Sequence, residues 1–151
     1  MTKKKLKDVV RAARKMAPYG HIPSAAIINL NLKENLSKSG SDYCLALGDE
    51  TEAYAKKKKE TGTSPKYFAS ASMWYERAAE LGADEDSIIK RLERLDKACD
   101  SYTPSKRYGK HHQENEKVTI KRVRELSKGL IKELDGVKRV KKSLKELEKS
   151  Y

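Results

Sequence analysis

The stretch FASASMWYERAAELGA, residues 68–83, holds the single tryptophan and the single phenylalanine of the chain. Its apolar residues recur at spacings of three and four, which predicts a helix whose apolar face is wide enough to be covered on two sides. Alanines on this face allow a neighbouring helix to approach closely, while the aromatic rings fill the space beside it. Gly82 follows as a C-terminal cap. The sequence therefore places the core here.

A family resemblance rests on small and aromatic positions of this helix and on a Leu-Gly pair upstream. The positions are Ala71, Trp74, Tyr75, Ala78, Ala79 and Gly82 in the helix, and Leu47 and Gly48 before it. Together they resemble one Sel1-like repeat, and they are similar to the looser tetratricopeptide (TPR) pattern, over about residues 43–83. The resemblance implies a helix hairpin used in protein contacts. An ordinary helical bundle with an alanine-rich seam is the alternative interpretation.

Length and composition favour one all-α domain. A chain of 151 residues is long enough to bury a core as a single unit, so we expect one domain spanning 1–151. Lys, Glu, Leu and Ala, which are good helix formers, dominate, and few β-branched runs alternate with a period of two. We therefore predict a single-domain helical bundle built around the TPR/Sel1-like antiparallel hairpin, with a long basic C-terminal helix.

Turn residues and apolar periodicity divide the chain into elements. The predicted elements are a basic helix at 3–16, a helix hairpin at 42–82, a helix at 84–101, a loop at 103–115 and a basic terminal helix at 116–150. Residues 22–36 fit either a helix or a strand, and we favour a helix because a lone strand would have no partner. A break of the terminal helix near Gly136 is left open.

Apolar residues of the terminal helix follow a seven-residue repeat. They are Val123, Leu130, Val137, Leu144 and Tyr151 in one row, and Leu126, Val140 and Leu147 in the second. Glu133 interrupts the second row, so the stripe drifts, as in a helix that packs on a domain or on a partner helix. If this face is unpaired in the monomer, we expect self-association through the C-terminal helix.

Positive charge is concentrated at the two ends of the chain, which has a net charge of +12. Residues 1–16 carry seven Lys or Arg and one acid, residues 17–105 carry twelve and fourteen, and residues 106–151 carry fifteen and seven. Clustered cations bind polyanions by releasing counterions, which fits RNA or DNA. A solvated lysine-rich surface would have the same composition.

No pattern in the sequence predicts catalysis. Phosphate loops, zinc-protease motifs and nucleophile motifs are missing, so we expect a non-enzyme without cofactor or metal. The acids at 84–86 fit the start of a helix, and the adjacent His111 and His112 point in different directions on a helix. Two distant cysteines form no metal motif. With no signal peptide or long apolar run, we expect a cytoplasmic protein that does not bind membranes.

The leading hypothesis is a non-enzymatic helical module that binds a protein partner, as part of a larger complex. Its predicted partner-binding residues are Tyr43, Leu47, Tyr54, Phe68, Trp74 and Tyr75. The alternative is an RNA- or DNA-binding accessory protein that uses its basic termini and the 102–115 loop, where aromatic rings lie among cations. Its predicted nucleic-acid-binding residues are Lys106, Arg107, Tyr108, Lys110, Lys138, Arg139, Lys141, Lys142 and Lys145.

Overall fold

The computed structural model describes residues 40–57, 64–106 and 109–150. Over these ranges the chain forms four α-helices and no strand, which confirms the predicted all-α class. The helices are α1 (Gly40–Lys57), α2 (Ser64–Glu80), α3 (Glu85–Asp100) and α4 (Lys110–Ser150). The helix predicted at 3–16, and the segment 22–36 with its two interpretations, lie outside the described residues.

Helices α1 and α2 pack antiparallel, because contacts join opposite ends of the two. The Ser64 hydroxyl at the start of α2 donates to the carbonyl of Ala55 near the end of α1, at 2.6 Å. Farther along α2, the Tyr75 hydroxyl lies 2.9 Å from the carboxylate of Asp49 in the middle of α1. The predicted hairpin is thus present as a pair of helices, and its likeness to a Sel1 or TPR unit stays a sequence resemblance.

The inward face of α2 is the centre of the core, as its periodicity predicts. The fully buried apolar side chains of this helix are Phe68, Ala71, Trp74, Tyr75 and Ala78. Helices α1, α3 and α4 all contact α2. Large rings and alanines alternate on the covered face, so neighbouring backbones pack closely without leaving space beside them.

Helix α2 ends at a glycine cap. Gly82 has φ of +88°, a conformation that L side chains rarely adopt. Its N–H donates to the carbonyl of Ala79 at 3.1 Å, and the Ala83 N–H donates to the carbonyl of Ala78 at 3.0 Å. This pair of hydrogen bonds is the Schellman motif, which satisfies carbonyls left free at a helix end. The cap predicted at Gly82 is confirmed.

The acids that follow start α3. Asp84 is the N-cap, and its carboxylate accepts a hydrogen bond from the Ser87 N–H at 3.0 Å. Glu85 and Asp86 lie in the first turn, where the helix dipole favours negative charge. They also form ion pairs with α4, with Lys141 and Lys138 respectively. Helix α3 therefore begins where the sequence places it.

Helix α4 is longer than predicted. It begins at Lys110, so the second half of the predicted 103–115 loop is helical. The physical reason is tertiary: Tyr102 donates a hydrogen bond to Glu116, which is buried, and so holds the first turns of α4 against the core. The helix also continues without a break through Gly136. The cost of a helical glycine, about 1 kcal/mol, is small for a helix of this length.

Helices α3 and α4 are antiparallel and joined by ion pairs along their length. Arg124 Nε lies 3.0 Å from Asp96 Oδ1, and Arg124 Nη1 lies 2.8 Å from Asp100 Oδ1. At the other end of α3, Lys141 contacts Glu85. The buried side chains of α4 are those of Glu116, Ile120, Val123, Ser127 and Leu134. Beyond Lys141 every α4 residue is exposed, so the end of the helix extends past the bundle.

A membrane-spanning helix needs about 20 consecutive, mostly apolar residues. Within residues 40–57, 64–106 and 109–150, no helix combines that length with sufficient apolar character.

Candidate functional site

A buried polar network fixes the relative positions of α1, α2 and α3. The Tyr75 hydroxyl lies 2.9 Å from Asp49 Oδ1 and 3.0 Å from Glu52 Oε1, and it accepts a hydrogen bond from Arg94 Nη2 at 3.1 Å. Arg94 Nε donates to Glu52 Oε2 at 2.8 Å, and Arg91 donates to both oxygens of Asp49. Glu52 is almost fully buried, and Lys56 Nζ also lies 2.8 Å from its Oε2, so the carboxylate is surrounded by donors.

Removal from water raises the pKa of Tyr75, and the neighbouring carboxylates of Glu52 and Asp49 raise it further. The phenol therefore stays protonated and acts as a hydrogen-bond donor. Every partner of this hydroxyl is already engaged in holding helices together. We interpret the network as structural.

The network depends on a close approach between α1 and α2 at Gly48. A Cβ atom built on Gly48 would lie 2.4 Å from Tyr75 Cε1 and 2.7 Å from Cδ1, far inside van der Waals contact. Only a residue without a side chain lets the buried Tyr75 ring lie against the α1 backbone. The glycine of the upstream Leu-Gly pair thus has a packing role.

The predicted partner-binding residues mostly lie inside the bundle. Leu47, Phe68, Trp74 and Tyr75 are all fully buried, so their surfaces are covered by other helices of the same chain. Tyr54 is half-buried, and its ring meets the ring of Tyr67 edge to face at a centroid distance of 4.8 Å. The side chain of Tyr43 lies outside the described part. Direct partner contact by these residues stays a prediction.

An open groove lies between the C-terminal half of α2 and the middle of α4. Its volume is about 700 Å³. Helix α2 contributes one wall and α4 the other, so the groove runs beside both helices. The lining residues are Glu76, Ala79 and Glu80 from α2, and Arg122, Glu125, Leu126, Gly129, Leu130, Glu133, Leu134 and Val137 from α4. Apolar side chains and a glycine form the surface between the charged groups.

The charged groups of this groove are mainly negative. Four glutamates, two from each helix, face a single arginine, Arg122. One of the four, Glu80, is paired with Arg77 at 2.8 Å. Among the described residues no ion pair is formed by Glu76, Glu125 or Glu133. The groove is therefore locally acidic on a protein whose net charge is +12.

The end of α4 carries an exposed apolar row that continues from the groove. Leu126, in the groove wall, is 58% exposed. Further along, Val140 is 61% exposed, Leu144 54% and Leu147 53%. These are the residues of the predicted seven-residue repeat, and no described helix covers them. We call residues 138–150 the α4 tail.

The predicted nucleic-acid-binding residues divide into three groups. Arg107 and Tyr108 lie outside the described residues. Lys138, Arg139 and Lys141 are paired within the chain, with Asp86, Asp135 and Glu85 respectively. Lys106, Lys110, Lys142 and Lys145 are exposed. The ion pairs thus involve the cations of the α4 tail nearer the bundle, whereas Lys142 and Lys145 form no ion pair with described residues.

Two histidines and a buried glutamate lie in the first turns of α4. His111 is exposed, whereas His112 Nε2 lies 3.9 Å from Glu116 Oε2. The Tyr102 hydroxyl donates to the other oxygen of Glu116, and burial together with this carboxylate raises the pKa of Tyr102. Neither histidine lines the groove. This arrangement fastens the first turns of α4 to the core.

The groove was missed in the sequence because its two walls are more than forty residues apart. One signal was present: Glu133 interrupts the apolar row of α4, and in the structure it lies in the groove wall. A polar residue in an apolar helix face often determines which helices can pair at an interface.

Comparison of the chain with protein-family models, with curated proteins and with solved structures found no match.

Proposed function

We propose that this protein is a non-enzymatic helical module that binds a protein partner, and that the α2/α4 groove receives an amphipathic helix with a basic polar face. The observation that carries the proposal is the groove itself, about 700 Å³ with an apolar surface and three glutamates that form no ion pair with described residues. Helices recognise partner helices by laying apolar side chains into grooves of this kind.

The packing of the bundle supports a site on α4 in preference to one on the aromatic residues of α2. Trp74 and Tyr75 are fully buried, so a partner would have to open the core to reach them. Leu126 is more than half exposed, and a partner reaches it without any rearrangement. Burying such a leucine contributes about 1.5–3 kcal/mol, so a few of them suffice for specific binding.

The charge of the groove makes the proposal specific. Overall, the protein attracts anions, because its net charge is +12. At the groove the local charge is reversed by Glu76, Glu125 and Glu133. A partner that binds by general electrostatic attraction would therefore be acidic, whereas a partner that binds in the groove is basic.

Two synthetic peptides test this difference. Both have the same leucine pattern at helical spacing, and one has Lys at all polar positions where the other has Glu. Binding of each labelled peptide to the full chain is measured by fluorescence anisotropy. We expect the Lys peptide to bind and the triple variant Glu76→Lys/Glu125→Lys/Glu133→Lys to lose this binding.

The matched control reverses three glutamates that lie outside both the groove and the end of α4, Glu50→Lys, Glu93→Lys and Glu114→Lys, and so changes the net charge equally. We expect the control to bind the Lys peptide nearly as well as the native chain. Preferential binding of the Glu peptide by the native chain, or equal loss in both triple variants, would contradict the proposal.

Nucleic-acid binding is the second candidate function, and the exposed cations of the α4 tail favour it. Lys142 and Lys145 are exposed and form no ion pair with described residues. Affinity for a single-stranded RNA should then fall steeply with salt, since each phosphate contact releases counterions. If Lys142→Gln/Lys145→Gln leaves both the affinity and its salt dependence unchanged, the tail does not bind RNA.

A further inference from the structure

We propose that the helix received by the groove is the α4 tail of a second copy of this chain. Two α4 helices would pair antiparallel, with each tail lying in the other copy's α2/α4 groove. The inference rests on the proposed function, because it names the occupant of the same groove.

The apolar residues of the groove and of the α4 tail lie along one continuous face of α4. Leu126 and Leu130 in the groove, and Leu144 and Leu147 in the tail, belong to the same seven-residue repeat of one unbroken helix. A bound helix from an unrelated protein would cover the groove and leave the tail leucines in water. A second copy covers both surfaces at once, because each chain supplies one groove and one tail.

The groove and the α4 tail carry opposite charges. The groove carries the glutamates at 76, 125 and 133, and the tail carries Lys142, Lys145 and Lys149 on its exposed turns. An antiparallel pair brings each basic tail to an acidic groove, whereas a parallel pair would bring the two basic tails together. Complementary charge selects orientation and suppresses wrong pairings. The chain is thus complementary to itself in the antiparallel arrangement.

The sequence of α4 has matching residues at equal distances on either side of Val137. Leu130 and Leu144 each lie seven positions from Val137, and Glu125 and Lys149 each lie twelve positions from it. A two-fold axis at Val137 therefore sets Leu130 level with Leu144, and Glu125 level with Lys149, of the other copy. Symmetric dimers bury the same patch on both subunits, and this arrangement has that property. The paired stretch from Leu126 to Glu148 would be about 33 Å long at 1.5 Å per residue.

The backbone of α4 leaves room for a close partner. A Cβ built on Gly129 or on Gly136 meets no atom of the described residues within 4 Å, so packing among these residues does not require either glycine. Both occupy the same position of the seven-residue repeat, followed by Ser143 and Ser150. Small residues beside an apolar row allow two helices to approach closely. A second α4 would use the space that the single chain leaves open.

The experiment is sedimentation equilibrium of the full chain with two charge-reversed variants. The groove variant is Glu76→Lys/Glu125→Lys/Glu133→Lys, and the tail variant is Lys142→Glu/Lys145→Glu/Lys149→Glu. The tail variant leaves Lys138 and Lys141 intact, because these hold α4 to α3. We expect the native chain to dimerise, and each variant alone to dimerise about 100-fold more weakly, because like charges then face each other.

An equimolar mixture of the two variants is the decisive sample. In a heterodimer, the lysine groove of one variant faces the glutamate tail of the other, and the native glutamate groove faces the native lysine tail. Both contacts are complementary, so we expect the mixture to recover dimerisation to nearly the native strength. Circular dichroism of each variant establishes that its helices are intact.

A control variant reverses three exposed lysines elsewhere, Lys90→Glu, Lys97→Glu and Lys106→Glu, with the same change in net charge. It should dimerise like the native chain. A native chain that is monomeric at every concentration overturns the inference. The inference also fails if the groove variant and the tail variant are each folded and monomeric, and their equimolar mixture is monomeric too.

The outcome also separates this inference from the proposed function. If the native chain is monomeric but still binds the Lys peptide in the groove, the groove takes a different helix and only the second-copy inference fails. The basic segment 3–16, which has its own apolar residues in the sequence, would then be the next occupant to test by deletion. If neither the tail nor the peptide binds, both proposals fail.

Discussion

Replacing Gly48 with alanine tests the packing of α1 against α2 most directly. By helix propensity alone, Gly48→Ala should stabilise the protein by about 1 kcal/mol, because glycine is the poorer helix former. The structure predicts the opposite sign. The new Cβ would lie 2.4 Å from Tyr75 Cε1, and this ring is fully buried with its hydroxyl held by Asp49 and Glu52.

The ring therefore cannot move away without loss elsewhere. Forcing an extra methyl group into a packed core costs about 1–3 kcal/mol. Displacing the Tyr75 hydroxyl from Glu52, a buried carboxylate, costs about 1–3 kcal/mol more. Against a propensity gain of about 1 kcal/mol, the net expectation is a destabilisation of about 1–5 kcal/mol, centred near 3.

The matched control is Gly136→Ala in α4, where a new Cβ meets nothing within 4 Å. This second variant should gain about 0.5–1 kcal/mol. Both are measured by urea unfolding followed by circular dichroism, at a concentration low enough for the chain to be monomeric. If Gly48→Ala is stabilised as much as Gly136→Ala, Gly48 and Tyr75 are not in close contact. The polar network then does not depend on a close approach of α1 and α2 at Gly48.

Three further predictions address other parts of the bundle. Tyr75→Phe keeps the ring but removes a hydrogen-bond partner of the buried Glu52. We expect the free energy of unfolding, measured with urea, to fall by about 1–3 kcal/mol, and an unchanged value would mean that the network does not stabilise the fold. Asp84→Ala should cost about 1 kcal/mol and Asp84→Asn much less, because both Asp and Asn cap α3; equal losses in thermal unfolding would count against the cap. Burial raises the pKa of the Cys44 thiol to about 11 and that of the Cys99 thiol to about 12, so both stay protonated near neutral pH. Both should therefore react with an aromatic disulfide only when the protein unfolds, and fast reaction of the native protein would show that the thiols are accessible.

Local features of the fold were predictable because they depend on neighbours in the sequence. Apolar spacing identified the inward face of α2, and Phe68 and Trp74 are indeed fully buried. The caps at Gly82 and Asp84 were likewise recognisable, since a left-handed residue ends a helix and a carboxylate begins one within a few residues. The predicted loop at 103–115 was wrong in its second half. There the start of α4 depends on Tyr102 and the buried Glu116, a contact that residue composition does not indicate.

The site was predictable only in part. Large aromatic residues were expected to bind a partner, but periodicity indicates that a face is apolar and does not tell which helix covers it. In the structure the chain covers Trp74 and Tyr75 itself, while Leu126 and the apolar residues of the α4 tail are exposed. The acidic groove needs α2 and α4 side by side. Its glutamates come from two distant parts of the sequence, so their common location is invisible before folding.

The sequence by itself determined the helical class, the apolar faces and the uneven distribution of charge, because each depends on residues a few positions apart. Only the tertiary structure decided which apolar face is used internally and which is left exposed. It also decided which cations are paired: Lys138 and Lys141 form ion pairs with α3, whereas Lys142 and Lys145 form none with described residues. The physical reason is that burial and ion pairing depend on distances between side chains, and folding sets these distances between residues far apart in the chain.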